Sequence, residues 1–351
     1  MNIFIAHTHY PVKDKRLLFF MTRPFFSDGK WVDDAKEKAL RGVNPTDFHW
    51  VEEMEKAQIV LIPFSINFYA SQNKLGDLAS LNALCKEKNL TAYGYIYDDF
   101  GIAFPEFSNF VYFRMSGFRS QLSDKNRGLP VAISDQFQRI FKKENITPNT
   151  KNELPTISFC GHASTSFTKR VKEILIFGKQ NMKRFFQNPI RKDWEPYFAS
   201  SFERAKLMKA FENSPLVITN FIYRNQYRAG AKSPEDLEKT TVEYYENILN
   251  SDYVLCVRGA GNFSVRFYET LMMGRIPIFV NTDCLLPFEE QINWKNHVVW
   301  VEWKDRKNIA TIVSDFHRKI TNEDFINRQI NNRKLWKETL SLNSLMQFLK
   351  E

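Results

Sequence analysis

The sequence predicts an α/β protein built from two Rossmann-like halves in tandem. Three observations carry this. Short apolar, β-rich runs alternate with segments of helical spacing, the pattern of parallel βαβ units. The alternation stops at a polar, proline-containing stretch over residues 137–155 and then restarts. The chain has 351 residues, too many for one average domain and enough for two.

In the first half, residues 3–6 form a strand ending in His7-Thr8-His9. Residues 12–50 are mixed and charged, with Trp31, Phe48 and Trp50 assigned to packing. Residues 51–56 have helical character, 59–63 (IVLIP) are a buried strand, and 64–67 are a loop. An amphipathic helix over 75–87 leads to a strand over 90–97 that ends in Asp98-Asp99, and a short strand covers 109–114.

In the second half, 156–160 is a strand, 161–166 a small-residue loop and 167–177 a helix. Residues 183–204, with Trp194 and Tyr197, have no regular pattern. A strand over 216–222 runs into Arg224, and a helix covers 234–249. The strand 253–257 ends in Arg258-Gly259-Ala260-Gly261-Asn262, too glycine-rich to stay extended. The next helix, 264–273, sets Val265, Tyr268, Leu271 and Met272 on one face, and Gly274 stops it as a C′ residue. Strands follow at 276–280 and 297–302, and from residue 308 the spacing is helical to the end. The expected domains are 1–150, 151–325 and a C-terminal helical segment, 326–351, crossing back to the N-terminal domain.

Composition narrows the function. A hydrophobic share of 43% with 25% charged residues is that of a globular, water-exposed chain with a sizeable core. The net charge of +9, from 49 Lys and Arg against 40 Asp and Glu, favours an anionic partner. The basic residues are dispersed, and no nucleic-acid module or basic-aromatic stripe is present, so nucleic acid is not the expected partner. Cys85, Cys160, Cys256 and Cys284 form no CxxC pair, which argues against a zinc or redox motif and fits a reducing compartment. No signal peptide and no run of roughly 18–20 apolar residues is visible. The expected location is cytoplasmic, at most peripheral at the inner face of a membrane.

Two such domains facing a cleft make the GT-B arrangement of glycosyltransferases. Periplasmic binding proteins share it but need an export signal. In parallel sheets, ligands bind at the carboxyl ends of strands, where turns open onto helix N-termini. The turn 258–266 offers backbone N–H groups, a positive helix end and two arginines, a set suited to a diphosphate.

This stretch also carries a resemblance. The ordered features are Arg258-Gly259, Ser264-Val265-Arg266, Glu269, Gly274-Arg275-Ile276-Pro277-Ile278, Asp283, Leu286-Pro287-Phe288, Trp294 and residues 298–302. As a set over roughly 55 residues they are similar to the exostosin family of glycosyltransferases, family 47. The likeness is fainter at 157–161 with Arg170, and at 57–63. The resemblance implies a GT-B fold and an inverting, metal-independent transfer from a nucleotide sugar, UDP-linked first, with the donor in the C-terminal domain and the acceptor in the N-terminal one. It resembles a bacterial relative without a membrane anchor, acting on a glycan or lipid-linked saccharide in surface polysaccharide synthesis.

That chemistry must stabilise charge on the leaving diphosphate, take a proton from the acceptor hydroxyl and exclude water. No Asp-x-Asp triplet is present for a metal, and no cofactor is expected, so cations and backbone dipoles should meet the charge. Arg258 and Arg266 lead, with the turn carrying Gly259, Asn262 and Ser264; Arg170 and Arg224 are further candidates. The plain alternative for each arginine is a surface ion pair, and Arg266 could pair with Glu269 at i,i+3. Gly161 and His162 lie in the first loop of the donor half, where His162 could meet phosphate. In GT-B donor domains an acidic residue on this helix accepts from the ribose hydroxyls, which assigns Glu269. Asp283 is a donor, acceptor or turn-capping residue. The candidates for the base are Asp98, Asp99, His7 and His9, all at strand ends. The alternative function is a catalytically inactive GT-B glycan-binding or scaffold subunit.

Overall fold

The computed structural model describes residues 1–6, 19, 21–22, 49–187, 193–224, 226–340 and 349. His7, His9, Trp31 and Phe48 lie outside the described residues. The chain divides into two compact units. Unit 1 comprises Met1–Ser134, Leu285–Phe288 and Thr339–Glu351; unit 2 comprises Asp135–Cys284 and Glu289–Glu338.

Unit 1 holds β1 (Asn2–Ile5), β2 (His49–Trp50), β3 (Ile59–Ser65), α1 (Ile66–Ser71), α2 (Leu75–Glu87), β4 (Ala92–Ile96), β5 (Phe110–Arg114) and β6 (Asn126–Gly128). The six strands form one sheet, ordered β2-β1-β3-β4-β5-β6, and every pairing is parallel. A parallel sheet is covered on both faces, which is why β3 reads as a continuous apolar run and buries six of its seven residues. Pro63 has no N–H for the ladder, and the β3–β4 register shifts between Leu61 and Ser65. The expected loop at 64–67 is instead the end of β3 and the start of α1, whose N-cap Ser65 accepts from the Phe68 N–H at 3.3 Å. The expected helix over 51–56 shrinks to a single 3-10 turn at Met54–Lys56. So short a segment gains too few hydrogen bonds to offset helix nucleation.

Unit 2 holds α3 (Gln136–Phe141), β7 (Thr156–His162), α4 (Phe167–Gln187), α5 (Ser200–Glu212), β8 (Ile218–Arg224), α6 (Pro234–Leu249), β9 (Tyr253–Cys256), α7 (Val265–Met272), β10 (Ile276–Asn281), β11 (Val299–Glu302), α8 (Ile309–Lys319) and α9 (Asn322–Glu338). Its sheet is parallel throughout, ordered β11-β10-β9-β7-β8. Counted from β7 this is the doubly wound order 2-1-3-4-5, whose winding reverses between β7 and β9. Gly274 has φ 61°, the left-handed conformation of a C′ glycine after α7. Val265 departs from its expected face: it is exposed, while Phe267, Tyr268, Leu271 and Met272 are buried. The stretch 183–204 is more regular than its sequence suggests, since α4 runs to Gln187 and α5 begins at Ser200.

The division falls at Ser134, ahead of the polar stretch read as a boundary. The segment from Asp135 through that stretch is held within unit 2 by charge and hydrogen bonds. Asp135 holds Arg333 of α9 through both carboxylate oxygens, at 3.0 and 2.6 Å. Asn149 accepts from Arg275 at 2.9 Å, and its N–H donates to Gln329 at 2.8 Å. Among the described residues, the helical stretch from residue 308 is two helices, broken where Thr321 and Asp324 cap α9 reciprocally. Helix α9 belongs to unit 2, and unit 1 resumes at Thr339. Among the described residues no helix is long and apolar enough to cross a membrane.

Candidate functional site

The chemistry-bearing residues of unit 2 gather where its sheet reverses direction. Strands β7 and β9 pair only at Ile157–Tyr253 and Ser158–Val254, whereas β7 stays paired with β8 as far as His162 and Arg224. Past Ser158 the Cys160 carbonyl therefore accepts from a side chain, Arg266 Nη2, at 2.8 Å. Arg266 sits in the first turn of α7, and its guanidinium lies 3.9 Å from the centre of the Phe159 ring. Gly161 makes room for it, because a Cβ there would stand 2.8 Å from Arg266 Nη2.

A second guanidinium lies within reach of the charge of the first. Arg204, on α5, donates to the Arg258 carbonyl at 3.2 Å, and a Cβ on Gly259 would stand 3.5 Å from its Nη2. Burial, and next the charge of Arg266, pull the Arg204 pKa down to about 10, so it remains a cation near neutral pH. The Nε atoms of Arg204 and Arg266 are both buried without a hydrogen-bond partner. Two like charges, half-buried and incompletely bonded, are costly alone and complementary to an anion. His162 lies beside them, with Lys169 Nζ 3.4 Å from its Nε2. Burial first, then the charge of Lys169, hold His162 below its ordinary pKa. Ser264 is the N-cap of α7 but makes no side-chain cap, so it does not occupy the helix N–H groups there.

Glu269, on α7, accepts from Tyr244 at 2.5 Å and from Tyr245 at 3.0 Å, both on α6. It is not the i,i+3 partner of Arg266. Burial, then the Glu269 carboxylate, raise the Tyr244 phenol well above its usual pKa, which keeps it a donor. The Tyr244 ring centre is also 5.8 Å from the Arg266 guanidinium.

Several candidates already have partners within the protein. Arg258 is buried: its Nη2 pairs with Glu195 at 3.2 Å and donates to the Ala260 carbonyl at 2.7 Å. Arg184 approaches the other oxygen of Glu195 at 3.7 Å. The group is thus an internal ion-pair cluster around Glu195 and not a surface pair. Arg224 is likewise buried, bonded to Glu243 at 2.6 Å and to the Thr240 carbonyl at 2.8 Å. Asn262 staples the turn to the loop after β10, donating to the carbonyls of Thr282 and Asp283 at 3.0 and 2.9 Å. Asp283 takes φ 63°, with its N–H bonded to Asn281 at 3.0 Å, a turn conformation. Arg170 stacks on Phe202 at 4.6 Å.

In unit 1, Asp98 accepts from the Phe100 N–H at 2.8 Å. The surrounding protein, and next the charge of Asp98, raise the Asp99 carboxyl above its ordinary value although its side chain reaches solvent. No group of three or more His, Cys, Asp or Glu placed to hold a metal ion occurs among the described residues.

The family model of the exostosin GT47 domain matches residues 110–316, more than half of the chain. The chain belongs to the exostosin GT47 family. An exostosin-1 homolog of Caenorhabditis elegans is 33% identical over 81 residues, 23% of this chain and 21% of that protein. A probable beta-1,4-xylosyltransferase of Arabidopsis thaliana, IRX10L, is 34% identical over 71 residues, 20% of this chain and 17% of its own length. A probable glucuronosyltransferase of Oryza sativa subsp. japonica, Os04g0398600, is 35% identical over 71 residues, with the same shares. The alignments thus span about a fifth of the length of these relatives. AviGT4, a glycosyltransferase involved in avilamycin A biosynthesis, covers 88% of both chains at 8% identity, with a TM-score of 0.29, too remote to argue from. The site of this exostosin GT47 domain also includes a cation without a visible sequence signal. Arg204 lies in a helix the pattern did not disclose, and only the fold brings it to Arg266.

Proposed function

We propose that the protein is an inverting, metal-independent glycosyltransferase. It moves a sugar from a nucleotide-sugar donor, a UDP-sugar first, to a glycan or lipid-linked saccharide in surface polysaccharide synthesis at the inner face of a membrane. The observation that carries this reading is the pair Arg204 and Arg266, held together at the switch point of the unit 2 sheet with buried, unpartnered Nε atoms. The diphosphate lies against these guanidiniums and the first N–H groups of α7. His162 and Lys169 add donors, and Arg170 supplies charge at the rim. Glu269 accepts from the ribose hydroxyls, each of its oxygens keeping a lone pair beside the tyrosine bonds.

The acceptor hydroxyl oxygen attacks the anomeric carbon as the bond to the diphosphate oxygen breaks, which inverts the centre. The departing nucleoside diphosphate carries the electron pair, and the guanidiniums stabilise its charge. Unit 1 holds the acceptor, and Asp99, whose raised pKa suits a base, takes the hydroxyl proton.

The deciding experiment is a thermal-shift screen against UDP-, GDP-, CMP- and dTDP-sugars, followed by turnover with the stabilising donor. Stabilisation with turnover supports the enzyme. Glycan binding with no donor response identifies the inactive binding subunit, a reading favoured by the engagement of both Glu269 oxygens with tyrosines.

A further inference from the structure

Helix α4 is anchored by one face and bare on another. Phe177 and Arg184 are buried against unit 2. About a third of a turn away, at the 3.6-residue spacing of a helix, run Phe167, Val171, Leu175, Met182, Phe185 and Phe186, all exposed. Phe167 is 71% exposed, Leu175 63% and Phe186 78%, values far from those of side chains that pack a core. The stripe extends for roughly 30 Å at 1.5 Å per residue. Lys172, Lys179 and Lys183, all exposed, form a parallel row on its flank. The helix carries six basic residues, Lys169, Arg170, Lys172, Lys179, Lys183 and Arg184, against one acidic residue, Glu173. Beside it a groove of about 570 Å³ continues the apolar face, between Gly178, Met182 and Phe185 of α4 and Trp194, Pro196 and Tyr197. Trp194 stacks on Phe185 with ring centres 6.5 Å apart.

We propose that this face of α4, with Trp194 and Tyr197, is a docking surface for an anionic lipid bilayer. An amphipathic helix rich in Lys, with Phe and Leu on its apolar side, lies in the interface plane with that side among the acyl chains. Tyr and Trp suit the headgroup level, where one end of the ring is dry and the other wet. Charge selects the occupant. A second copy would set lysine rows of like sign near each other, whereas anionic headgroups complement them. The helix starts five residues after His162, so docking brings the candidate site to the lipid surface. The proposal locates the membrane contact of the preceding reading but does not depend on the reaction, because lipid binding is measured without nucleotide.

The test is co-sedimentation of the full chain with vesicles of phosphatidylcholine alone or mixed with phosphatidylglycerol, at low and high salt. The protein should partition onto the anionic vesicles, with a blue shift of tryptophan emission that shrinks in Trp194→Phe. Leu175→Glu and Phe186→Glu should each weaken partitioning roughly tenfold or more. Replacing Lys172, Lys179 and Lys183 by Gln should remove the preference for anionic lipid, at about fivefold per lysine. Unchanged thermal melting would show that these surface variants are folded. Absence of binding to anionic vesicles, or equal binding by the Glu variants, overturns the proposal. So does concentration-dependent dimerisation that the Glu variants abolish while vesicles are ignored, since the face would then belong to a second copy. Vesicle binding without any nucleotide-sugar response would leave this surface standing and sink the transferase reading.

Discussion

Arg266 Nη2 donates to the Cys160 carbonyl at 2.8 Å, joining the first turn of α7 to the strand from which β9 has separated. The bond orients a guanidinium whose Nε remains without a partner. Arg266→Ala should therefore weaken binding of a nucleoside diphosphate by about 10- to 100-fold, the range for loss of a charge-assisted contact. Arg204→Ala should do the same, and the double variant should lose less than the sum because the two cations share one anion. Calorimetric titration with UDP reads this; unchanged affinity in Arg266→Ala removes the diphosphate assignment.

Glu269 carries two tyrosine hydroxyls and, in the proposed complex, a ribose. UDP should then bind more tightly than 2′-deoxy-UDP, by about fivefold or more for one hydrogen bond to a charged group. The gap should close in Glu269→Gln. Equal affinities in the native protein would make Glu269 an acceptor for Tyr244 and Tyr245 alone.

Glu195 stands between two buried guanidiniums, those of Arg184 and Arg258. Glu195→Ala should destabilise the protein by about 3–5 kcal/mol in denaturant unfolding, because it leaves buried charge uncompensated. Replacing Arg258 by Met in that background should recover part of the loss. Recovery would distinguish a structural clamp from a ligand-binding arginine, whose removal could not restore stability.

His162 gives a pH signature. Its ordinary pKa is 6.5, and in the folded protein burial and Lys169 lower it. The unfolded chain thus takes up this proton first as pH falls below about 6.5, and that difference costs stability toward acid and vanishes above the range. A bound diphosphate should reverse the shift. In a histidine NMR titration, assigned with His162→Gln, the midpoint should move up when UDP is added. An unmoved midpoint would place the phosphates elsewhere.

The parallel sheets were legible because their strands are buried on both faces: β3 and β9 are unbroken apolar runs. Helix α6, expected over 234–249, stands there with Ser233 as its cap and Pro234 in its first turn. Helix α5 was not legible, since its buried residues Ser201, Ala205, Leu207, Met208 and Phe211 mix small and polar side chains and leave no clean stripe. Arg204 was lost with it. Arg258 was singled out by its turn, but its state depends on Glu195, 63 residues away in a stretch without periodicity. Local pattern could say that a cation stands there; it could not say that a distant carboxylate had already bound it. Residues 137–155 show a related limit of local pattern. Their polarity signals solvent in a linker, and here Asn149 satisfies part of it against Arg275 and Gln329.

The chain passes between the two units at 134/135, 284/285, 288/289 and 338/339. All six strands of unit 1 are synthesised by Gly128, yet the unit cannot be complete before residue 339 has left the ribosome. By then the whole of unit 2 has emerged. Unit 1 is thus begun first and finished last. Vectorial synthesis therefore lets unit 2 be complete in the chain before unit 1 is.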